Sequence, residues 1–213
     1  MHSTNSRTKV KSGSFLRIAV SVLIGLLVIA FWQVKRVNLN EYYLYLMEDR
    51  KPVSFEFTEL SEDWTEQTLH EKFSGYPITC RPYGTNLATD RACGIDVKSH
   101  NGVPALFISF FFASDRLQEM AVNVPLWSHA TANSIIIATI GRPTSAQLLP
   151  HDGVRLVGWQ LPNGSGLFLN RDPNLLPPNW NTIYWRSASA CAKGGCFMKR
   201  QENTYRKHAN PKA

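Results

Sequence analysis

Four cysteines, a Gly-Ser-Gly tripeptide and a scatter of histidines and aspartates are the residues of this 213-residue chain best equipped for chemistry. Cys80, Cys93, Cys191 and Cys196 all lie beyond an early apolar run. An even number of cysteines in an exported domain reads as disulfides, and four permit three pairings. The local pairing, Cys80 with Cys93 and Cys191 with Cys196, is favoured: each loop is short, and Cys-Ala-Lys-Gly-Gly-Cys holds two glycines that can turn the chain back. Zinc is disfavoured, because neither spacing is C-x2-C and no histidine sits at ligand spacing beside either pair. A redox dithiol would also want C-x2-C, although Lys193 between the last two sulfurs is placed to lower a thiol pKa.

A serine hydrolase presents its nucleophile in Gly-x-Ser-x-Gly at a sharp strand-to-helix turn. Gly164-Ser165-Gly166 lacks that spacing and follows Pro162-Asn163, so it reads as a hairpin turn. His70, His100, His129, His151 and His208 form neither H-x3-H nor H-E-x-x-H, and each is expected at the surface or at a helix end. Asp96, Asp115, Asp152 and Asp172 sit near turns, where aspartate is common, and would pair only if the fold brought them together. Phosphate-binding and dinucleotide fingerprints are missing from the sequence. No catalytic residue, metal ligand or cofactor is assigned, and a binding module is expected before an enzyme. The alternative is an extracytoplasmic hydrolase whose site is assembled from scattered residues. Among the aromatics, Trp64, Trp127, Trp159 and Trp185 fall in or beside expected elements and are assigned to the core. Trp180, in Leu176-Pro177-Pro178-Asn179-Trp180-Asn181, falls in a loop and is the candidate partner contact.

The formal charge of +7 is unevenly placed. Residues 1–51 carry a net +5, 52–198 a net −2 and 199–213 a net +4. The central part is therefore slightly acidic, which argues against a basic face that reads nucleic acid.

Ile18–Trp32 is uncharged, and the stretch 15–34 has the roughly 20-residue length that a helix needs to cross a hydrocarbon core. Arg17 and Trp32 suit its two interfaces. Arg7, Lys9, Lys11 and Arg17 precede it without an acid, so the positive-inside bias places the N-terminus in the cytoplasm. A cleavable signal would need small residues at its end, and Ala30-Phe31-Trp32-Gln33 does not supply them. The expected organisation is a cytoplasmic tail (1–14), a single-pass transmembrane signal anchor (15–34), a juxtamembrane connector (35–53), an exported domain (54–198) and a basic tail (199–213). The expected location is the bacterial inner membrane, with the C-terminal domain in the periplasm. There the chain would serve as an interaction or envelope-assembly module for a protein or envelope component.

The elements of that domain follow from pattern. Tyr42–Met47 either lies at the membrane surface or pairs as an edge strand. Ser61 or Asp63 is expected to cap a helix through Phe73, with Trp64, Leu69 and Phe73 on one face and Gly75 and Pro77 as its stop. Strands are expected at 92–98, 104–112 and 117–124, with Asn101-Gly102 as a hairpin signal and 113–116 as a second turn. A second helix, Ala130–Ile140, is stopped by Gly141 and Pro143. Strand-like segments then follow at 154–161, 166–170 and 182–187.

The order is helix, antiparallel strands, helix, antiparallel strands, and Leu69-x5-Gly75-x-Pro77 matches Ile135-x5-Gly141-x-Pro143. This paired pattern, across about 55–187, resembles the β-lactamase-inhibitor proteins and the small outer-membrane assembly lipoproteins of the bacterial envelope. The resemblance implies an α+β domain of two helix-plus-antiparallel-sheet units. The chain departs from those lipoproteins in lacking a lipidated cysteine, and no binding residues carry over.

Overall fold

The structure, a computed structural model, describes residues 12–84, 89–148, 155–175 and 179–197. By compactness the chain divides after Glu41. Helix α1 is assigned to Ser12–Met47, and its side chains from Leu16 to Ile29 are all exposed. Among the described residues no helix is long and apolar enough to cross a membrane. The expected span, 15–34, includes positions whose side chains lie outside the described ones. The basic tail, 199–213, lies outside the described residues altogether.

The second unit starts at Tyr42, on the last turns of α1, so Tyr42–Met47 is helical rather than an edge strand. Tyr42 and Tyr45, three residues apart, share one helical stripe and turn into the domain. The Tyr42 hydroxyl donates to the Asn179 carbonyl at 2.8 Å and accepts from the Leu126 amide at 3.1 Å. The Tyr45 hydroxyl donates to the Lys98 carbonyl at 3.2 Å. Burial raises the pKa of both phenols, which stay protonated and able to donate.

The domain is a mixed α+β fold built on eight antiparallel strands. The first half supplies helix α2 (Glu66–Lys72) and strands β2 (Ile78–Pro82), β3 (Arg91–Asp96), β6 (Phe107–Ala113) and β7 (Arg116–Pro125). Between β3 and β6, the short β4 (Ser99–His100) and β5 (Val103–Pro104) join β1 (Pro52–Val53) in a separate small sheet. The second half supplies helix α3 (His129–Ile140) and strands β8 (Ser145–Leu148), β9 (Arg155–Gln160), β10 (Gly166–Asn170) and β11 (Trp180–Arg186), then helix α4 (Ala188–Gly194). The sheet order is β2-β3-β6-β7-β11-β10-β9-β8, so each half lays down its four strands from an edge inward and the halves meet through their last strands.

Alternation along the strands makes this sheet two-sided. Ile108, Phe110 and Phe112 of β6, Met120, Val122 and Val124 of β7, Leu167 and Leu169 of β10, and Trp159 of β9 point to the main core. Leu69, Phe73, Ala132 and Ile136, from the helical segments, fill the same core. A bulge near Phe111 and Phe112 resets the β6–β7 register and keeps Leu117 inward beside Phe112.

Local signals place the helix ends. Thr65, rather than Ser61 or Asp63, caps α2: its hydroxyl accepts from the Thr68 amide at 3.1 Å. Ser61 instead closes the preceding turn, accepting from the Asp63 amide. The two Gly-x-Pro stops differ in geometry. Gly141 directly caps α3 with φ 103, a conformation that favours glycine, whereas Gly75 lies beyond the last turn of α2, which Phe73 closes on Leu69. Asn101 and Gly102, with φ 49 and 80, turn β4 into β5, as the Asn-Gly signal indicates. Ser114 and Asp115 make the β6–β7 turn with φ 51 and 57 and no glycine.

Both local disulfides are present, Cys80–Cys93 and Cys191–Cys196. Cys80 and Cys93 face each other in the β2–β3 register, so the first bridge pins an edge strand to the sheet. The second lies with α4 against Phe168 on the other side of the sheet. With its cysteines 13 positions apart in sequence, the first bridge restricts the unfolded chain by about 3 kcal/mol in the loop-entropy account, and the second, with a separation of 5, by less. The Cys80→Ala/Cys93→Ala protein should therefore melt at a lower temperature than the Cys191→Ala/Cys196→Ala protein. Calorimetry of the two double variants checks the ranking, and equal midpoints would reject it.

Candidate functional site

The face of the sheet turned away from α2 and α3 is covered in one half and left partly accessible in the other. Over β9 and β10, the Phe168 ring lies on Gly158 and Gly166, where any Cβ would meet it at 3.0 Å or less, and Phe197 stacks on Phe168 at 5.4 Å. With the Cys191–Cys196 bridge these residues form a second small core. The corresponding side of β3, β6, β7 and β11 is less fully covered: Ala92, Ala121, Asn123 and Thr182 are buried, but Gly94, Phe107, Ser109 and Phe111 are half-buried and Tyr184 is exposed.

The register fixes what that open side presents. One row across the strands reads Gly94, Ser109, Ala121 and Tyr184, with three small residues making a low floor beside the 39% exposed Tyr184 ring. A second row holds Asp96, Phe107, Asn123 and Thr182, in which the Thr182 hydroxyl donates to Asn123 Oδ1 at 2.9 Å. A third reads Ala92, Phe111, Glu119 and Arg186. Phe107 meets Trp180 edge-on at 5.3 Å, and Phe111 meets Tyr83 at 5.1 Å, so two aromatic pairs flank the floor.

Charge gathers at one end. Arg186 pairs with Glu119 at 2.7 Å, and both line a cavity of about 520 Å³ with Glu62, Arg116, Ser189 and Lys193. Arg186 Nε and Glu62 Oε2 are buried without a hydrogen-bond partner among the described residues. Gly194 lets the Arg186 guanidinium lie close to α4, since a Cβ there would meet Arg186 at 3.2 Å. The arrangement offers an aromatic-flanked floor for apolar side chains and, at one end, a donor and an acceptor left over for a polar group.

The residues singled out from sequence fall as follows. Trp180 opens β11 rather than lying in a loop, and it is half-buried against Phe107. Trp64, Trp159 and Trp185 are core residues, but Trp127 is 54% exposed because it sits on the short helical turn Leu126–Ser128 instead of in a strand. His70 is exposed on α2. His100 and His129, expected at the surface or a helix end, are both buried, His129 at the start of α3 with Nε2 2.6 Å from the Asn170 carbonyl. His151 and His208 lie outside the described residues, as does Asp152.

The fold does not bring Asp96, Asp115 and Asp172 together: Asp96 and Asp115 belong to opposite ends of β6, through Phe107 and the turn after Ala113, and Asp172 follows β10, four strands from β3 across the sheet. Ser165 is buried in the β9–β10 turn, its hydroxyl accepting from Trp185 Nε1 at 3.1 Å and donating to Asn163, so it braces the core. Glu66 approaches the sulfurs of Cys80 and Cys93, but those sulfurs are bonded to each other. Arg91 holds the Glu66 carboxylate through two hydrogen bonds and keeps its pKa below the usual carboxylate range.

Tyr184, Glu119 and Arg186 escape a reading of sequence alone. Alternation in 117–124 puts Glu119, Ala121 and Asn123 on one side, but their neighbours come from β11, more than fifty residues further on.

No protein-family model matches the chain, and no curated protein matches it. No family match therefore accompanies the resemblance to inhibitor proteins and assembly lipoproteins. A solved structure that does match is a DUF4309 family protein from Bacillus subtilis, at 12% identity and a TM-score of 0.37, covering 60% of this chain and 80% of that one. A likeness at that level carries no argument about fold or function.

Proposed function

We propose that the chain is a membrane-anchored, extracytoplasmic interaction module of the bacterial envelope. Its partner is an extended segment of an envelope protein, received on the open side of β3, β6, β7 and β11. The observation that carries this reading is the contrast between the two halves of the sheet. Phe168, Phe197 and a disulfide cover one half, while the other keeps a small-residue floor between the Phe107–Trp180 and Phe111–Tyr83 pairs. Aromatic rings beside a shallow floor supply contact area at low entropic cost, and the Glu119–Arg186 end supplies polar specificity. Trp180 and Tyr184 are the partner contacts.

The anchor in this reading is residues 15–34, supported by the uncharged run Ile18–Trp32 and its basic N-terminal flank. Two disulfides support an oxidising compartment. The reading is of a periplasmic domain held by an anchor in the bacterial inner membrane.

A photo-crosslinking residue at position 184 of the full-length protein in its native cells should yield a discrete adduct. The same residue at Gln67, on α2, should not. Adducts of equal yield from both positions would reject the face. An export-dependent reporter fused after residue 213 should be active, and activity of a cytoplasm-only reporter there would reject the topology.

A further inference from the structure

Four large apolar side chains of the domain stand well out in solvent: Tyr43 at 59%, Leu46 at 63%, Met47 at 68% and Trp127 at 54%. Single exposed apolar residues are ordinary on a soluble surface, but a group of this size calls for an occupant. Helical geometry gathers the first three. With Tyr42 and Tyr45 turned inward, Tyr43, Leu46 and Met47, at i, i+3 and i+4, form the neighbouring outward stripe. Trp127 comes alongside: the Leu126 amide bonds the Tyr42 hydroxyl, and the Trp127 ring lies 5.6 Å from the Tyr42 ring.

We infer that this patch beds into the interfacial layer of the membrane that holds the anchor. The inference rests on the anchor reading given above. Three observations favour a lipid surface as the occupant. Tyr43 is nine positions beyond Val34, so the chain tethers the patch within about 30 Å of the end of the expected span even when fully extended. Trp and Tyr, each an apolar body with a polar tip, accompanied by Leu and Met, are the composition of an interfacial contact. The exposed charges next in sequence, Glu48 and Asp49, are acidic. Attraction to anionic headgroups is therefore not the driving term, and the contact is apolar.

The test reconstitutes the full-length protein in phosphatidylcholine vesicles and takes the difference in fluorescence between the wild type and Trp127→Phe as the Trp127 signal. Brominated acyl chains should abolish most of that signal while aqueous iodide leaves it intact, and replacing part of the lipid with phosphatidylglycerol should not change this. Leu46→Glu/Met47→Glu should reverse the pattern, exposing Trp127 to iodide, with the protein still resistant to alkaline extraction and its disulfides formed. A Trp127 signal in the wild type that iodide quenches and brominated lipid does not would overturn the inference while leaving the anchor standing. Cross-linking of two copies through this patch in the vesicles would do the same. Release of the wild type by alkaline extraction would instead bring down the anchor reading, and the inference with it.

Discussion

Replacing Trp159 with alanine should lower the stability of the domain by about 3–5 kcal/mol, the range for deleting a buried aromatic. Trp159 is 1% exposed on the inner side of β9, and its indole Nε1 donates to the Gly141 carbonyl at 2.8 Å. Gly141 closes α3, so this one side chain fills the core of the second half and also fastens the helix end to the sheet. Trp159→Phe separates the two contributions. It keeps most of the packing and leaves the Gly141 carbonyl without its partner, for an expected loss of about 1–3 kcal/mol. Urea unfolding of both variants checks the order, and a phenylalanine variant as unstable as the alanine variant would show that the hydrogen bond, not the volume, dominates.

A second large effect is expected from acid. His100 is 2% exposed, its ring lies 4.5 Å from Phe55 and 5.0 Å from Phe57, and its Nε2 has no hydrogen-bond partner among the described residues. Desolvation in this aromatic slot pushes its pKa down from 6.5 to about 4, against a smaller opposing contribution from the Phe55 backbone. The neutral ring is the form the fold accepts. Below pH 6.5 the unfolded chain takes up a proton that the folded chain refuses, so stability falls as pH drops, until about pH 4. Integrated over that window the loss is about 3 kcal/mol. His100→Phe keeps a ring in the slot and removes the titration. Between pH 6.5 and 4 the wild type should therefore lose stability that the variant retains, and parallel curves for the two proteins in urea unfolding would refute the assignment.

Periodicity makes much of the core legible in the sequence. Met120, Val122 and Val124 announce an inward side, and the antiparallel α+β class follows from the element pattern; the expected pair of helix-plus-sheet units is instead one continuous eight-stranded sheet. What escaped was short or polar. Ile78–Pro82 ends in proline and alternates around a cysteine, and it reads as a loop until its pairing with β3 is known. Ser145–Leu148 is an edge strand with little apolar pattern. Ala188–Gly194 looks like a glycine turn, because the capping hydroxyl of Ser187, which accepts from the Ala190 amide, belongs to an ordinary serine in the sequence. The open side was out of reach for a different reason. Its rows combine residues from β3, β6, β7 and β11, and the meeting of β7 with β11 is a long-range choice that no local signal encodes.

That meeting has a consequence for assembly. The strands β7 and β11 pair antiparallel over seven positions, from Trp180 opposite Pro125 to Arg186 opposite Glu119, at the middle of a sheet whose halves run in the same order from either edge. The seam is laid out like the self-complementary contact of a homodimer about a dyad, with both protomers fused into one chain. Two copies of the chain that opened there would expose matching edges, and β7 of each could accept β11 of the other without any new contact being invented. A concentration-dependent exchanged dimer is thus the characteristic misassembly this topology invites, and the short Leu126–Ser128 turn leading into α3 is the hinge through which it would pass.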